Sequence, residues 1–296
     1  MIEVRLEDKR VVAEVRGKPV GTFWFSVQNW RYHPRIFWVG FKDLLDADLI
    51  VATELYKAAV EAMKPQRPLL LYTGVEEDDP LRSVLLQLGF REFRRVYSPT
   101  LDVRAFDLSS LTKTTHTFEK LGYRIVILAE LEHTNDTKKK LHALFNEVYA
   151  DTSTVVPATP ERFSLGAWWT DVIEDEDIIP EAFFIALRGD EMVGFGNLMH
   201  SYLVLEETEL STATFGTKRS HRHHHREIMM ALKAREIAYA KAHGYATIRA
   251  EIDAENPWIL QVCAELPFVQ GKDYVSMLRV MNWKVTSNKI VTPGQI

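Results

Sequence analysis

Apolar and polar positions alternate through RVVAEVRGKPVGTFWFSV, and this period of two around Gly17-Lys18-Pro19 predicts two strands joined by a tight turn. RIFWVGF, at residues 35–41, predicts another strand. The period then changes. Leu49, Ala52, Leu55, Tyr56, Ala59 and Ala62 recur at helical spacing, and Pro65 and Pro68 end the run. LLLYTGV reads as a buried strand, residues 80–88 as a short helix, and Gly89-Phe90 as its exit into the strand EFRRVYSPTLDV. Three strands, a helix, a strand, a helix and a strand make an α/β domain with a largely antiparallel sheet.

The second half repeats this order with an added front end. GYRIVILAEL predicts a strand, Asn135 or Asp136 the cap of a helix through Tyr149, and residues 160–173 a second helix. A hairpin around Arg188-Gly189-Asp190 follows, then the strand LEETELSTATFGT and a long helix that stops at Gly244. ATIRAEIDAEN, the helix PWILQVCAEL and a strand at residues 274–281 complete it, and the tail after Trp283 is polar. Three matches reveal the repeat: AEVRGKPVGTFWF with IALRGDEMVGFGN, ELYKAAVEA with ALKAREIAYA, and LLQLGF with VCAELPF. A period this long means duplicated domains rather than a solenoid. The Ser- and Thr-rich stretch DLSSLTKTTHTFEK reads as a polar connector or a short exposed helix, with the domain boundary near its start.

Charge changes the picture at one place. The net charge of -5 gives no general attraction to nucleic acid or anionic membranes, so any anion site is a local patch. That patch stands where the long helix of the second half begins, at His221, Arg222, His223, His224, His225 and Arg226. Cations are disfavoured at a helix N-terminus, which is already positive, unless an anion such as phosphate or pyrophosphate binds there. A solvated basic loop and a histidine metal site are the other readings. Adjacent imidazoles rarely converge on one ion without a distant ligand, so no metal is expected. The single cysteine, Cys263, fits a reducing compartment. Without an apolar leader or a run of about 18 apolar residues, the expected location is the cytoplasm.

At these residues the chain resembles the GNAT superfamily of acyl-CoA N-acyltransferases, in its tandem form with a degenerate N-terminal copy. The resemblance covers nearly all of the second half and residues 10–107 of the first. It implies an α/β fold of the α+β type: two GNAT-like domains, each a mixed, largely antiparallel central sheet flanked by helices, the N-terminal one truncated. The expected boundaries are 1–107, a connector 108–121, a fuller domain 122–283 and a tail 284–296. In that family a strand ends in Thr-x-Val, and a loop of the type Arg/Gln-x-x-Gly-x-Gly/Ala wraps the pyrophosphate of coenzyme A. Thr217-Lys218-Arg219 stands at the first motif, and His224, His225, Arg226, Glu227, Ile228 and Met229 at the second. The resemblance therefore assigns cofactor contacts to those loop residues and to Phe215, Gly216, Thr217, Arg219 and Asn256.

The departures have physical content. Glycine lets a backbone approach a phosphate closely, and here a Glu227 carboxylate would repel it while Arg222 and Arg226 compensate. Acyl transfer needs a base for the incoming ammonium and an acid for the departing thiolate. The family's acid is often a Tyr on the helix before Gly-Phe, a position that falls on Cys263, while Pro267-Phe268 replaces Gly-Phe. Glu207 and Glu209 are candidate bases and His200 another, and the acceptor amine is expected near residues 168–181. The first copy has Leu85 at the acid position, and neither glycine nor a basic residue in its loop at residues 47–52. The expected function is an acetyl-CoA-dependent N-acetyltransferase acting on a small amine, as a monomer or homodimer without nucleic-acid or membrane partners. The alternative is a non-catalytic binding or regulatory protein of the same fold.

Overall fold

The computed structural model describes residues 2–27, 35–150, 164–200 and 208–281. They form two compact units. The first takes the chain through Arg95 and again from Asp273, and the second takes the described residues between Val96 and Lys272.

The first unit opens with three strands, β1 (Ile2–Glu7), β2 (Arg10–Val15) and β3 (Lys18–Val27), joined antiparallel. β4 (Ile36–Lys42) adds to β3 and pairs parallel to β5 (Leu70–Glu76). Between them lies α1 (Leu49–Met63). Its Asp48 cap accepts from the N–H groups of Ile50 and Val51 at 2.8 and 3.2 Å, and its stripe Val51, Ala52, Leu55, Tyr56, Ala59 and Met63 is buried. That stripe shares a core with Phe23, Phe37, Leu71 and Leu85 of the sheet and of α2 (Leu81–Gln87). Each such side chain contributes about 1.5–3 kcal/mol by leaving water.

Two strands settle elsewhere than expected. The last strand, β15 (Tyr274–Val280), pairs antiparallel with β5 along its whole length, from Tyr274↔Glu76 to Val280↔Leu70. It therefore belongs to the first unit, between β5 and β6 (Arg91–Tyr97). In the opposite sense β7 (Thr100–Asp102) pairs with β13 (Thr247–Arg249) of the second unit. Residues 108–121 form a 3₁₀ turn and α3 (Thr112–Lys120), so of the two readings it is the short exposed helix that is observed, and Leu111 and Phe118 fix it in the second unit's core. A polar helix exposes most of its surface and hides its purpose in two side chains.

The second unit then holds β8 (Tyr123–Ile127), α4 (Asn135–Tyr149), α5 (Leu165–Trp168), the hairpin β9 (Ile178–Arg188) and β10 (Glu191–His200), β11 (Glu209–Thr212) and β12 (Gly216–Thr217). After these come α6 (His225–Ala242), β13, β14 (Ile252–Asp253) and α7 (Pro257–Ala264). The cap of α4 is Thr134, one residue before the expected pair, and it accepts from Thr137 N–H at 3.2 Å. Residues 160–163 of the expected second helix lie outside the described residues, and after α5 the turn widens over Trp169–Ile173. Each unit thus has a mixed, mostly antiparallel sheet flanked by helices, with order β7-β13-β11-β10-β9-β8 in the second.

Candidate functional site at the strand divergence of the second unit

β11 runs antiparallel to β10 and parallel to β13, pairing Glu209, Leu210 and Ser211 with Thr247, Ile248 and Arg249. Beyond these residues the two strands part. Ala250 N–H bonds to Pro99 and β14 pairs with Tyr97 and Val96, while β12 stays on β10 at Phe195 and Gly194. Between Leu198↔Thr212 and Phe195↔Gly216, two residues of β10 face three of the other strand, Ala213, Thr214 and Phe215. This one-residue excess is a β-bulge, a device that re-aims backbone groups beside a site. Gly216 follows it of necessity, since a Cβ there would meet Val148 Cγ1 at 2.5 Å.

A cavity of about 20 Å³ lies at the divergence, lined by Val148, Phe215, Gly216, Thr217, Arg222, His225, Asn256, Trp258 and Ile259. That is room for about one water. Two of the side chains on its wall are held by Trp258. The buried His225 ring donates from Nε2 to the Trp258 carbonyl at 3.1 Å and lies 5.4 Å from the indole, and the Arg222 guanidinium sits 5.3 Å from the same ring. Burial holds the His225 pKa below the ordinary imidazole value. Asn256 is spent on local structure, its Oδ1 accepting from Trp258 and Ile259 N–H at 3.2 and 3.3 Å to cap α7. Thr217 is different. Its Oγ1 is buried on the cavity wall with no hydrogen-bond partner among the described residues.

The cationic cluster has carboxylates of the chain itself beside it. Glu147 accepts the Arg219 N–H at 2.6 Å, Glu191 holds Lys218 at 2.7 Å, and Glu265 takes Arg226 through Nε at 2.7 Å. His221 donates from Nε2 to Glu191 at 3.3 Å, which leaves Nδ1 to accept the Tyr123 hydroxyl at 3.0 Å. Hydrogen bonding by Lys218, then by His221, holds the Glu191 carboxyl below its usual range. Glu227 reaches His224 at 4.0 Å, while Ile228 and Met229 point into the core. The positive helix end thus has anions built into the protein. In the first unit Asp48 does the same for α1 with one residue. Among the described residues no group of three or more His, Cys, Asp or Glu could hold a metal ion.

The candidate acid and bases are scattered. Cys263 is 8% exposed in the core, burial pushes its thiol up to about 11, and it is not on the cavity wall. A helix register that matches the family's Tyr here turns a short side chain inward. The Glu209 carboxylate is gripped by Arg249 at 2.5 and 3.2 Å and by Thr247 at 3.2 Å. Glu207 lies outside the described residues, and His200 is exposed at the end of β10. Trp168 and Trp169 are buried rather than presented to an acceptor. Sequence reasoning left out Trp258 and Val148 as cavity walls, and it missed the buried pair Lys233–Glu236, 2.7 Å apart on α6. The signal for that pair was present, since a Lys and a Glu three apart on the helix's apolar side have little room to reach water.

No protein-family model matches the sequence, and no curated protein matches it either. Solved structures do. A GCN5-related N-acetyltransferase from Sphaerobacter thermophilus superposes with a TM-score of 0.63 at 12% identity, over 93% of this chain and 82% of that one. A tandem GNAT protein from the clavulanic acid biosynthesis pathway gives 0.63 at 13%, over 92% and 82%. The glucosamine N-acetyltransferase region of a fungal multi-domain GH3 β-N-acetylglucosaminidase gives 0.66 at 14%, over 91% of this chain and 33% of that one. The class these define is a fold: this chain has the fold of the GCN5-related N-acetyltransferases. Its particular form is the tandem one, with two such units in a single chain.

Proposed function

We propose that the second unit binds an acyl-CoA, most simply acetyl-CoA, at the β11–β13 divergence and passes its acyl group to the amine of a small molecule. The observation that carries this reading is the orphaned Thr217 hydroxyl on the cavity wall, beside the bulge. A buried polar group without a partner costs about 1–3 kcal/mol, and a polar ligand group would offset that cost. Residues 215–217 suit the amide-rich arm of such a donor, whereas Glu227 and the ion-paired Arg226 suit its pyrophosphate poorly. Acyl-CoA supplies an activated carbonyl. The N–H groups of Lys218 and Arg219 already bond to Val193 and Glu147 at 2.8 and 2.6 Å, so charge on that oxygen would need a backbone donor at the bulge itself. Glu209, with Glu207 as the other candidate, would take the amine's proton once Arg249 lets it go. Titration calorimetry with acetyl-CoA tests the reading. Binding at or below millimolar concentration is the expected result, and no heat from folded protein would overturn it.

A second reading has its own observation in favour. His225 lines the small cavity and is tied to Trp258, Arg249 holds Glu209, and Cys263 faces the core, as expected of a binding or regulatory protein that has given up catalysis. Cofactor binding without transfer to any of a broad panel of amines would select it. The reading as a soluble cytoplasmic enzyme is likewise a proposal. Among the described residues, no helix is long and apolar enough to cross a membrane.

A further inference from the structure

β1 is the outermost strand of the first unit's sheet. It pairs with β2 over all six residues, and among the described residues no strand pairs with its other edge. Its two faces differ. Ile2, Val4 and Leu6 stand opposite Val15, Ala13 and Val11, of which Ala13 and Val11 are fully buried. Yet Val4 is 36% and Leu6 59% exposed, so the apolar face of the sheet runs past the cover over β2. The other face reads Glu3, Arg5, Glu7. Arg5 reaches Glu7 at 2.9 Å and Glu14 at 3.0 Å. Glu3 stands directly across from Glu14, a like-charge pairing that disfavours the ladder, and has no ion-pair partner among the described residues.

We propose that β1 pairs antiparallel with β1 of a second copy about a two-fold axis at Val4, which makes one continuous sheet across a homodimer. The charges select this register. An axis at Val4 places Glu3 against Arg5 twice, Val4 against Val4, and Ile2 against Leu6, using five residues of each strand. An axis at Arg5 would put Arg5 on Arg5 and Glu3 on Glu7. An axis at Leu6 would pair Val4 with Asp8, which has already left the strand with φ at 46°. Only the first register gives Glu3 a cation and covers the exposed Val4 and Leu6 together. A long apolar edge is otherwise an aggregation hazard, and a closed two-fold removes it.

Charge reversal tests the register. Sedimentation velocity of the full chain should show a dimer that R5E and E3R each weaken by at least about tenfold in dissociation constant. The double variant E3R/R5E restores the complementary pattern and should recover the dimer, while circular dichroism reports that all three remain folded. V4C should also form an inter-chain disulfide under a diamide oxidant, each thiol losing one hydrogen to the oxidant, whereas E7C should not. A wild-type chain that stays monomeric up to about 100 μM would overturn the proposal. So would a double variant no better than R5E, or a V4C chain that does not cross-link.

Discussion

Replacing Lys233 by Met removes an ammonium that is 3% exposed and leaves behind a Glu236 side chain that is 0% exposed. Two charges 2.7 Å apart in the core were each desolvated on folding, and their mutual attraction offsets only part of that cost. The pair is also incompletely satisfied, because Glu236 Oε1 has no hydrogen-bond partner among the described residues and Lys233 Nζ rests 3.6 Å above the Phe215 ring. Losing one partner of such a pair costs about 3–5 kcal/mol, while replacing both by apolar side chains of similar volume is neutral or stabilising. K233M should therefore lower the urea midpoint strongly, and K233M/E236L should return it to the wild-type value or above. The pH dependence has a definite sign. Burial, opposed by Lys233, raises the Glu236 pKa, so the folded state holds this proton more tightly than the unfolded one. Its contribution is present below the unfolded carboxyl value and is lost as pH rises through the folded one. Without Lys233 the rise is larger, so the K233M penalty should shrink from about pH 8 to about pH 5. A K233M penalty under about 1 kcal/mol, or a double variant as weak as the single, would refute the reasoning.

Three further expectations rest on other contacts. G196A places a Cβ 2.4 Å from Glu236 Oε1, and the overpacking should cost about 1–3 kcal/mol, read as a lower melting temperature. H225A should enlarge the cavity and tighten acetyl-CoA binding in calorimetry; unchanged or weaker binding would show that the ring is not an obstacle. Burial lowers the His225 pKa, so its neutral form adds stability above the ordinary imidazole value that fades as pH falls through the folded one, a slope H225A should flatten. Cys263, buried with a thiol near 11, should resist a disulfide reagent in the native protein and react once in denaturant. Fast native labelling would place it elsewhere.

Much of this architecture can be read from periodicity. The turn at Gly17, the stripe of α1 and the hairpin at Gly189 stand where alternation and helical spacing put them, because each buries one face on its own sheet. Partners are harder to read. Nothing in YVSMLRV says that β15 lies on β5 rather than on a strand of its own half, because a strand's pattern encodes which face is buried and not whose backbone it meets. β1 went unread because its three charged positions, Glu3, Arg5 and Glu7, drew more notice than the alternation of Ile2, Val4 and Leu6 between them. At the site, the cationic cluster and Glu227 within it were legible and the other glutamates were not, since Glu147, Glu191 and Glu265 come from three separate elements or turns. Residue types announced an anion. Only tertiary structure showed that the protein carries its own.

The placement of β15 also bears on the order in which the protein is made. β15 lies between β5 and β6, so the first unit has a gap in the middle of its sheet until residue 280 has been synthesised. The second unit closes with α7, whose residues are made earlier. On the ribosome the first unit to be translated is thus the last to be completed, and its β5 edge waits open while the second unit folds. A chain released before β15 would expose that edge to other chains, so truncation ahead of Tyr274 should leave the first unit prone to edge-to-edge association.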